Sequence, residues 1–288
     1  MSLAPPTKFS ERKHMKRFLS FLVIVLVFPL SAQAAVSEAT RDSLLFGVNE
    51  GTAGQKDFGE MQGRYKALAD YLGKSINKPV KLESSQNLKS SSSNLAKGRY
   101  ALFFSKPANV AAKAIRDQNY QLVAMAKGEF TVKFIVNANS PLKKPEDIKG
   151  KRIALAKGTF MERAGMAELR DRNLVPAADQ IQAAKFQDAI EFIVEKGFAD
   201  VGMVSPIVAK SWVAKGGSVL FESRKMPFWS LIASPDMSKD DVMKIQSALV
   251  SLENSDEGKK LLEKLGVKAF VPGNQKEYLD LQSWLEKT

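Results

Sequence analysis

Hydrophobic positions along the chain follow two alternating rhythms from Ser43 onward. "SLLFGVNE", "PVKLESS", "YALFFS" and "YQLVAMA" are short apolar runs bounded by polar residues, a pattern that predicts strands. Between them lie segments of helical period. "EMQGRYKALADYLGKSI" sets Tyr65, Leu68, Ala69 and Leu72 on one face, and "NLKSSSSNLAKG" and "ANVAAKAIRDQ" also read as helices. Regular alternation of strand and helix predicts an α/β protein with mostly parallel strands.

The alternation is interrupted twice. In "FTVKFIVNANSPLKKPEDIKGKRIALAKG" two strands flank a turn rich in Pro, Asn and Ser, and the strand-helix order then starts afresh, as in a crossing into a second lobe. "IQAAKF", "QDAIEFIVEKG", "ADVGMVS" and "PIVAKSWVAKG" follow as strand, helix, strand and helix, and "SVLFESRKMPFWSLIAS" contains a second crossing. Two helices, "KDDVMKIQSALVSLE" and "DEGKKLLEKLG", and a short one after Pro272 complete the chain. The expected division places residues 35–130 and 230–288 in one lobe and 131–229 in the other.

Residues 1–34 stand outside this pattern. Lys16-Arg17 precede the apolar run "FLSFLVIVLVFPL", and Ala32 and Ala34 offer a small-residue cleavage site, which together predict a secretory signal cut after Ala34. The run is shorter than the roughly 20 residues of a membrane span. Met15 directly precedes the basic pair, so residues 1–14 fit an overlong start. A soluble periplasmic product is expected.

Charge and composition narrow the chemistry. The full chain carries a formal charge of +12, and removal of Lys8, Arg12, Lys13, Lys16 and Arg17 against Glu11 leaves about +8. The cations are spread along mixed-sign helical faces, with no Arg-rich block, zinc-finger or helix-turn-helix pattern, which argues against nucleic acid and allows a modest pull on anions. The only histidine is His14, and there is no cysteine. The exported chain therefore lacks the residues of a Ser-His-Asp triad, a Cys nucleophile or the usual zinc sets. No enzyme, cofactor or metal site is expected.

Ligands of open α/β sheets bind beyond the carboxyl ends of strands. These ends are Asn49-Glu50-Gly51, Ser84-Ser85-Gln86, Ser105-Lys106, Lys157-Gly158-Thr159, Phe186-Gln187 and Ser205, and four of the six carry small hydroxyls suited to oxygen-rich ligands. "ALAKGTFMERAG" is the most suggestive, because a strand, a glycine turn and a helix start present backbone N–H groups to an anion.

The order of pieces resembles the phosphonate-binding-protein family, the periplasmic solute-binding proteins of phosphate, phosphite and phosphonate uptake. "GRYKALADYLGK", "LAKGRYALFFSKPA", "NSPLKKPEDIKGKRIALAKGT", "EKGFADVGMVSPIVA", "FESRKMPFWSLIASPDM" and "SDEGKKLLEKLGVKAFVP" carry the resemblance, from about Leu44 to the end. It implies a two-lobed type II periplasmic-binding-protein fold with two hinge crossings. It also implies capture of a small ligand without chemistry and delivery to an ABC permease in the inner membrane. A monomer is expected. A periplasmic sensing module on the same fold is the alternative.

Two departures from the family pattern bear on the ligand. Phosphonate binders carry a Ser-Thr-Ser-Gly type of run where this chain has Gly158-Thr159-Phe160-Met161, and an acidic residue where it has Ser205. An anionic or zwitterionic ligand with more apolar surface, or a weaker anion grip, is implied. The candidate ligand-binding residues are Asn49, Glu50, Tyr65, Gln86, Ser105, Lys157, Gly158, Thr159, Phe160, Ser205 and Trp229.

Most of them have a plain structural role as the competing reading. Thr159 and Ser205 fit helix N-caps, Lys157 a solvated charge, Tyr65 the core face of its helix, Phe160 helix core and Trp229 hinge packing. Asn49 and Glu50 fit a solvated loop. Ser105 has no packing reason to end the buried run "ALFF". Ser90 to Ser93 point around a helix and predict a solvated surface.

Overall fold

The computed structural model describes residues 43–51, 58–84 and 88–287. Residues 1–34, where a secretory signal is expected, and Gln86 lie outside them.

The first lobe begins with β1 (Leu44–Asn49), α1 (Phe58–Ile76), β2 (Val80–Ser84), α2 (Leu88–Ala96), β3 (Leu102–Ser105), α3 (Ala108–Gln118) and β4 (Gln121–Ala126). A short hinge strand β5 (Glu129–Phe130) leads to β6 (Lys133–Val136), β7 (Ile153–Ala156), α4 (Phe160–Asp171), β8 (Ile181–Ala184), α5 (Asp188–Glu195), β9 (Val201–Val204), α6 (Pro206–Ala214) and β10 (Ser218–Glu222). The chain returns through β11 (Met226–Pro227) to β12 (Ser230–Ala233), α7 (Lys239–Val250), α8 (Asp256–Leu265), β13 (Phe270–Val271) and α9 (Gln275–Glu286).

Two separate sheets result. One has the order β13-β4-β12-β3-β1-β2 and the other β10-β6-β9-β7-β8, and β5 and β11 form a two-stranded ribbon between them. Both crossings therefore share one hydrogen-bonded hinge, with Met226 opposite Phe130 and Pro227 opposite Glu129. This is the two-lobed α/β architecture with two chain crossings.

The expectation of mostly parallel strands does not hold. β1 runs parallel to β2 and β3, and β7 to β8 and β9, but β12 is antiparallel to β3 and β4, and β6 to β9 and β10. The reason is where the chain enters. β4 and β10 end at the hinge, so β6 and β12, the first sheet strands after each crossing, start at that end and run away from it.

The helices form where a buried stripe meets a workable cap. In α1, Met61, Tyr65, Leu68, Ala69, Leu72 and Ile76 recur at three- and four-residue spacing and are buried. Ser238 and Ser255 accept from the third residue onward at the starts of α7 and α8, and Gly266 closes α8 in the left-handed conformation. The helix after Pro272 is longer than its sequence suggests. α9 spans 12 residues, buries Tyr278, Leu281, Gln282 and Trp284 and packs on α3. Its Trp284 indole donates to Asp171 of α4, and Arg170 donates to the Trp284 carbonyl at 3.0 Å, so the last helix touches both lobes.

Candidate functional site

A cavity of about 990 Å³ lies at the carboxyl ends of the strands and is walled by both lobes. Glu50, Arg64, Lys106 and Trp229 belong to one wall, and Phe160, Gln187, Ser205 and Ile207 to the other. Phe130 and Phe228 of the hinge floor it.

On the first wall a carboxylate organises the charges. Glu50 Oε1 accepts from Tyr65 Oη at 2.7 Å and Arg64 Nη1 at 2.9 Å, and Lys106 Nζ lies 2.7 Å away. Burial pushes the Glu50 carboxyl up, but Lys106, Tyr65 and Arg64 together outweigh it and hold the group below the usual carboxylate value. Burial, then the Glu50 charge, push the Tyr65 phenol far up, so it stays a donor. Tyr65 is fully buried and reaches the site through this bond, not as a wall residue.

Lys106 also sits 4.3 Å from the centroid of the Trp229 ring, which stacks on Phe228 at 4.6 Å and 14°. The charge-compensated cluster of Glu50, Glu60, Arg64 and Lys106 and the paired rings make a wall that is polar and apolar together. Phe130 and Phe160 stack at 5.4 Å across the hinge side of the cavity, extending the aromatic lining.

Several candidates are engaged in holding loops. Asn49 donates to Ser91 Oγ at 3.0 Å and accepts from Gly51 N at 2.8 Å, which fixes the turn carrying Glu50. Ser91 is accordingly buried, while Ser90, Ser92 and Ser93 face solvent. Ser105 Oγ donates to the Pro107 carbonyl at 2.8 Å and so ties β3 to the start of α3. Neither Asn49 nor Ser105 lines the cavity.

The 157–159 loop is capped from within. Thr159 Oγ1 donates to the Ala156 carbonyl at 2.7 Å and accepts from Glu162 N at 3.2 Å, while Gly158 N–H donates to Glu162 Oε2. The chain's own carboxylate thus occupies the anion-facing end of α4. Lys157 and Gly158 are exposed, and none of Lys157, Gly158 and Thr159 lines the cavity; Phe160 and Met161, which follow them, do.

α6 is built differently. Ser205 is its N-cap, yet its side chain makes no capping bond, and Pro206 fills the first helical position. Ser205 N–H donates to Gln187 Oε1 at 2.8 Å. Among the described residues, the buried Ser205 Oγ and Gln187 Nε2 have no hydrogen-bond partner.

Of the sequence candidates, the cavity wall gathers Glu50, Phe160, Ser205 and Trp229. Arg64, Lys106, Phe130 and Gln187 are additions. Lys106 and Gln187 stand at strand ends and were within reach of that rule, whereas Arg64 and Phe130 come from a helix interior and a hinge that no strand-end rule visits. No group of three or more His, Cys, Asp or Glu side chains suited to a metal occurs among the described residues. Among them, no helix is long and apolar enough to cross a membrane.

Solved structures share the architecture at low identity. A Xanthomonas citri protein bound to ATP aligns at TM-score 0.69 and 14% identity, over 85% of this chain and 97% of that one. PhnD1 of Prochlorococcus marinus in complex with methylphosphonate aligns at 0.66 and 16%, over 84% and 97%. The periplasmic aliphatic sulphonate binding protein of Escherichia coli aligns at 0.56 and 15%, over 85% and 94%. Among curated protein sequences none matches. The family model described as "ABC transporter, phosphonate, periplasmic substrate-binding protein" matches residues 52–278. With both lobes, the hinge and most of the cavity wall inside that span, the chain belongs to the periplasmic substrate-binding proteins of phosphonate-type ABC transporters.

Proposed function

We propose that the chain captures a small anionic or zwitterionic organic ligand between its lobes and presents the closed form to an inner-membrane ABC permease. Residues 35–130 with 230–288 form one lobe and 131–229 the other, and the mature chain acts as an exported monomer after loss of residues 1–34. The observation that carries this reading is the cavity wall itself. It sets the ion-paired cluster of Glu50, Arg64 and Lys106 and an aromatic surface on one lobe against unpartnered hydrogen-bonding atoms of Gln187 and Ser205 on the other. Unsatisfied buried polar atoms cost stability unless something supplies the missing partner, and a ligand in the cavity would do so.

Relatives of the same fold hold methylphosphonate and ATP, and another is an aliphatic sulphonate binder, so the scaffold accepts oxyanions of varied size. The test is a thermal-shift screen of the mature chain against phosphate, phosphite, alkyl- and arylphosphonates, sulfonates, carboxylates, aminoethylphosphonate and amino acids. A rise in melting temperature is expected with at least one organic anion or zwitterion and little or none with inorganic phosphate. No shift with any compound would overturn the capture reading.

A further inference from the structure

The family pattern directs attention to the N-terminus of α4 as the oxyanion grip. In this chain that end is closed by the Glu162 carboxylate on Gly158 N–H and by Thr159 on Glu162 N–H. An incoming anion there would meet a like charge and would have to displace both bonds.

The start of α6 has the opposite condition. Its residues line the cavity, its first-turn N–H groups at Ile207 and Val208 precede the first intrahelical donor, Ala209 N–H bonded to the Ser205 carbonyl, and no side chain caps them. The N-cap hydroxyl, Ser205 Oγ, is buried and unpartnered. Beside it the Gln187 carboxamide spends its oxygen on Ser205 N–H and leaves Nε2, a donor only, without a partner. Because no bond holds the Ser205 hydroxyl, it turns toward an entering group at little cost. Free donors and a free helix N-terminus on this wall both ask for negative oxygen, while the Lys106 charge on the facing wall is already paired with Glu50. On the same wall Glu191 is paired with Lys215 and Asp188 is exposed to solvent.

We propose that the oxyanion head of the ligand, a carboxylate, sulfonate or phosphonate, binds at the N-terminus of α6 against Ser205 and Gln187, and not at the N-terminus of α4. The apolar remainder lies on Phe130, Phe160, Met161 and Trp229, which makes aryl or alkyl oxyanions the preferred class. This assignment rests on the capture reading above.

The test uses benzoate, benzenesulfonate and phenylphosphonate as probes, with affinities measured by calorimetry on the mature chain. Gln187→Glu keeps the acceptor for Ser205 N–H and the side-chain shape but sets a carboxylate in place of the donor. At least one probe is expected to bind the parent chain, and Gln187→Glu and Ser205→Ala are each expected to weaken it by about tenfold or more, the value of a lost bond to a charged group. Thr159→Ala is expected to change it by less than about twofold, and circular dichroism checks that each variant is folded.

Equal affinity in Gln187→Glu overturns the proposal. So does tighter binding in Glu162→Gln, which would place the anion at α4, and so does the failure of all three probes. If another compound of the wider screen raises the melting temperature while these probes do not, the capture reading stands and only the subsite assignment falls. No shift with any compound overturns both.

Discussion

Glu50 is the residue on which the first wall depends. Its side chain is 12% exposed and Arg64 is 9% exposed, so neither partner is well hydrated. Removing the carboxylate takes this partner from Lys106 and the Tyr65 hydroxyl and leaves Arg64 to Glu60, and breaking a largely buried pair costs about 3 kcal/mol. Glu50→Ala is therefore expected to lower the melting temperature by roughly 6–12 °C at neutral pH, measured by calorimetry. The pH dependence has a definite sign. The folded carboxyl titrates below its ordinary value of 4.5, so its contribution is present above that value and is lost as pH falls through the lower, folded one. The gap between parent and Glu50→Ala should accordingly narrow as pH falls below 4.5 and through the lower, folded value. A constant gap from neutral to acid pH would show that the charge cluster contributes nothing. Sequence alone reached Glu50 and Tyr65 by different routes, a strand end and a helix face, and had no means of joining them. Their bond depends on how α1 packs against β1, a tertiary relation that local pattern does not encode.

Among the elements, α4 and α8 show how similar-looking turns serve different ends. Gly158 takes a φ of 77°, which the turn from β7 into α4 requires, and Thr159 then caps the helix. Thr159→Ala is expected to cost about 1 kcal/mol, a fall of a few degrees in melting temperature, with ligand affinity nearly unchanged. A large loss of affinity with no loss of stability would move the loop from scaffold to site. In α8, a Cβ on Gly258 would lie 1.9 Å from the Leu252 carbonyl oxygen, which shows how closely the preceding turn packs. Gly258→Ala is expected to destabilise by about 1–3 kcal/mol, read as a lower denaturation midpoint at constant slope.

Element types were legible because strands and helices here differ strongly in hydrophobic period, as in "ALFF" against the α1 stripe. What period could not give was direction. β6 and β12 read like any other buried strand, and only the hinge geometry makes them antiparallel. Hydroxyls at strand ends were likewise ambiguous, since Ser105 and Thr159 bond backbone carbonyls while the similar Ser205 makes no bond. Residue type states what a hydroxyl can bond, and only packing states whether a partner is already there.

For the whole molecule, the proposed closure of the cavity would turn on the hinge. The ribbon of β5 and β11 is only two residues long on each side, so little bonding resists a change of angle between the sheets. At its edge Gly128 has a φ of 152°, and the Phe228 ring lies 3.3 Å from where a Cβ would be. α9 acts against free rotation, since it packs on α3 and is tied to α4 through Trp284. Closure about this hinge would bring the α6 side of the mouth toward α8, where Ser211 and Lys264 both line the opening. The chain has no cysteine, so Ser211→Cys with Lys264→Cys accepts a donor and an acceptor dye without further change. Transfer efficiency is expected to rise when the compound giving the largest thermal shift is added, and to rise less in a Gly128→Val background, where a branched side chain meets both the strained backbone and Phe228. Binding confirmed by calorimetry with no change in transfer would mean that the lobes hold their ligand without moving, and a permease would then have no closed form to recognise.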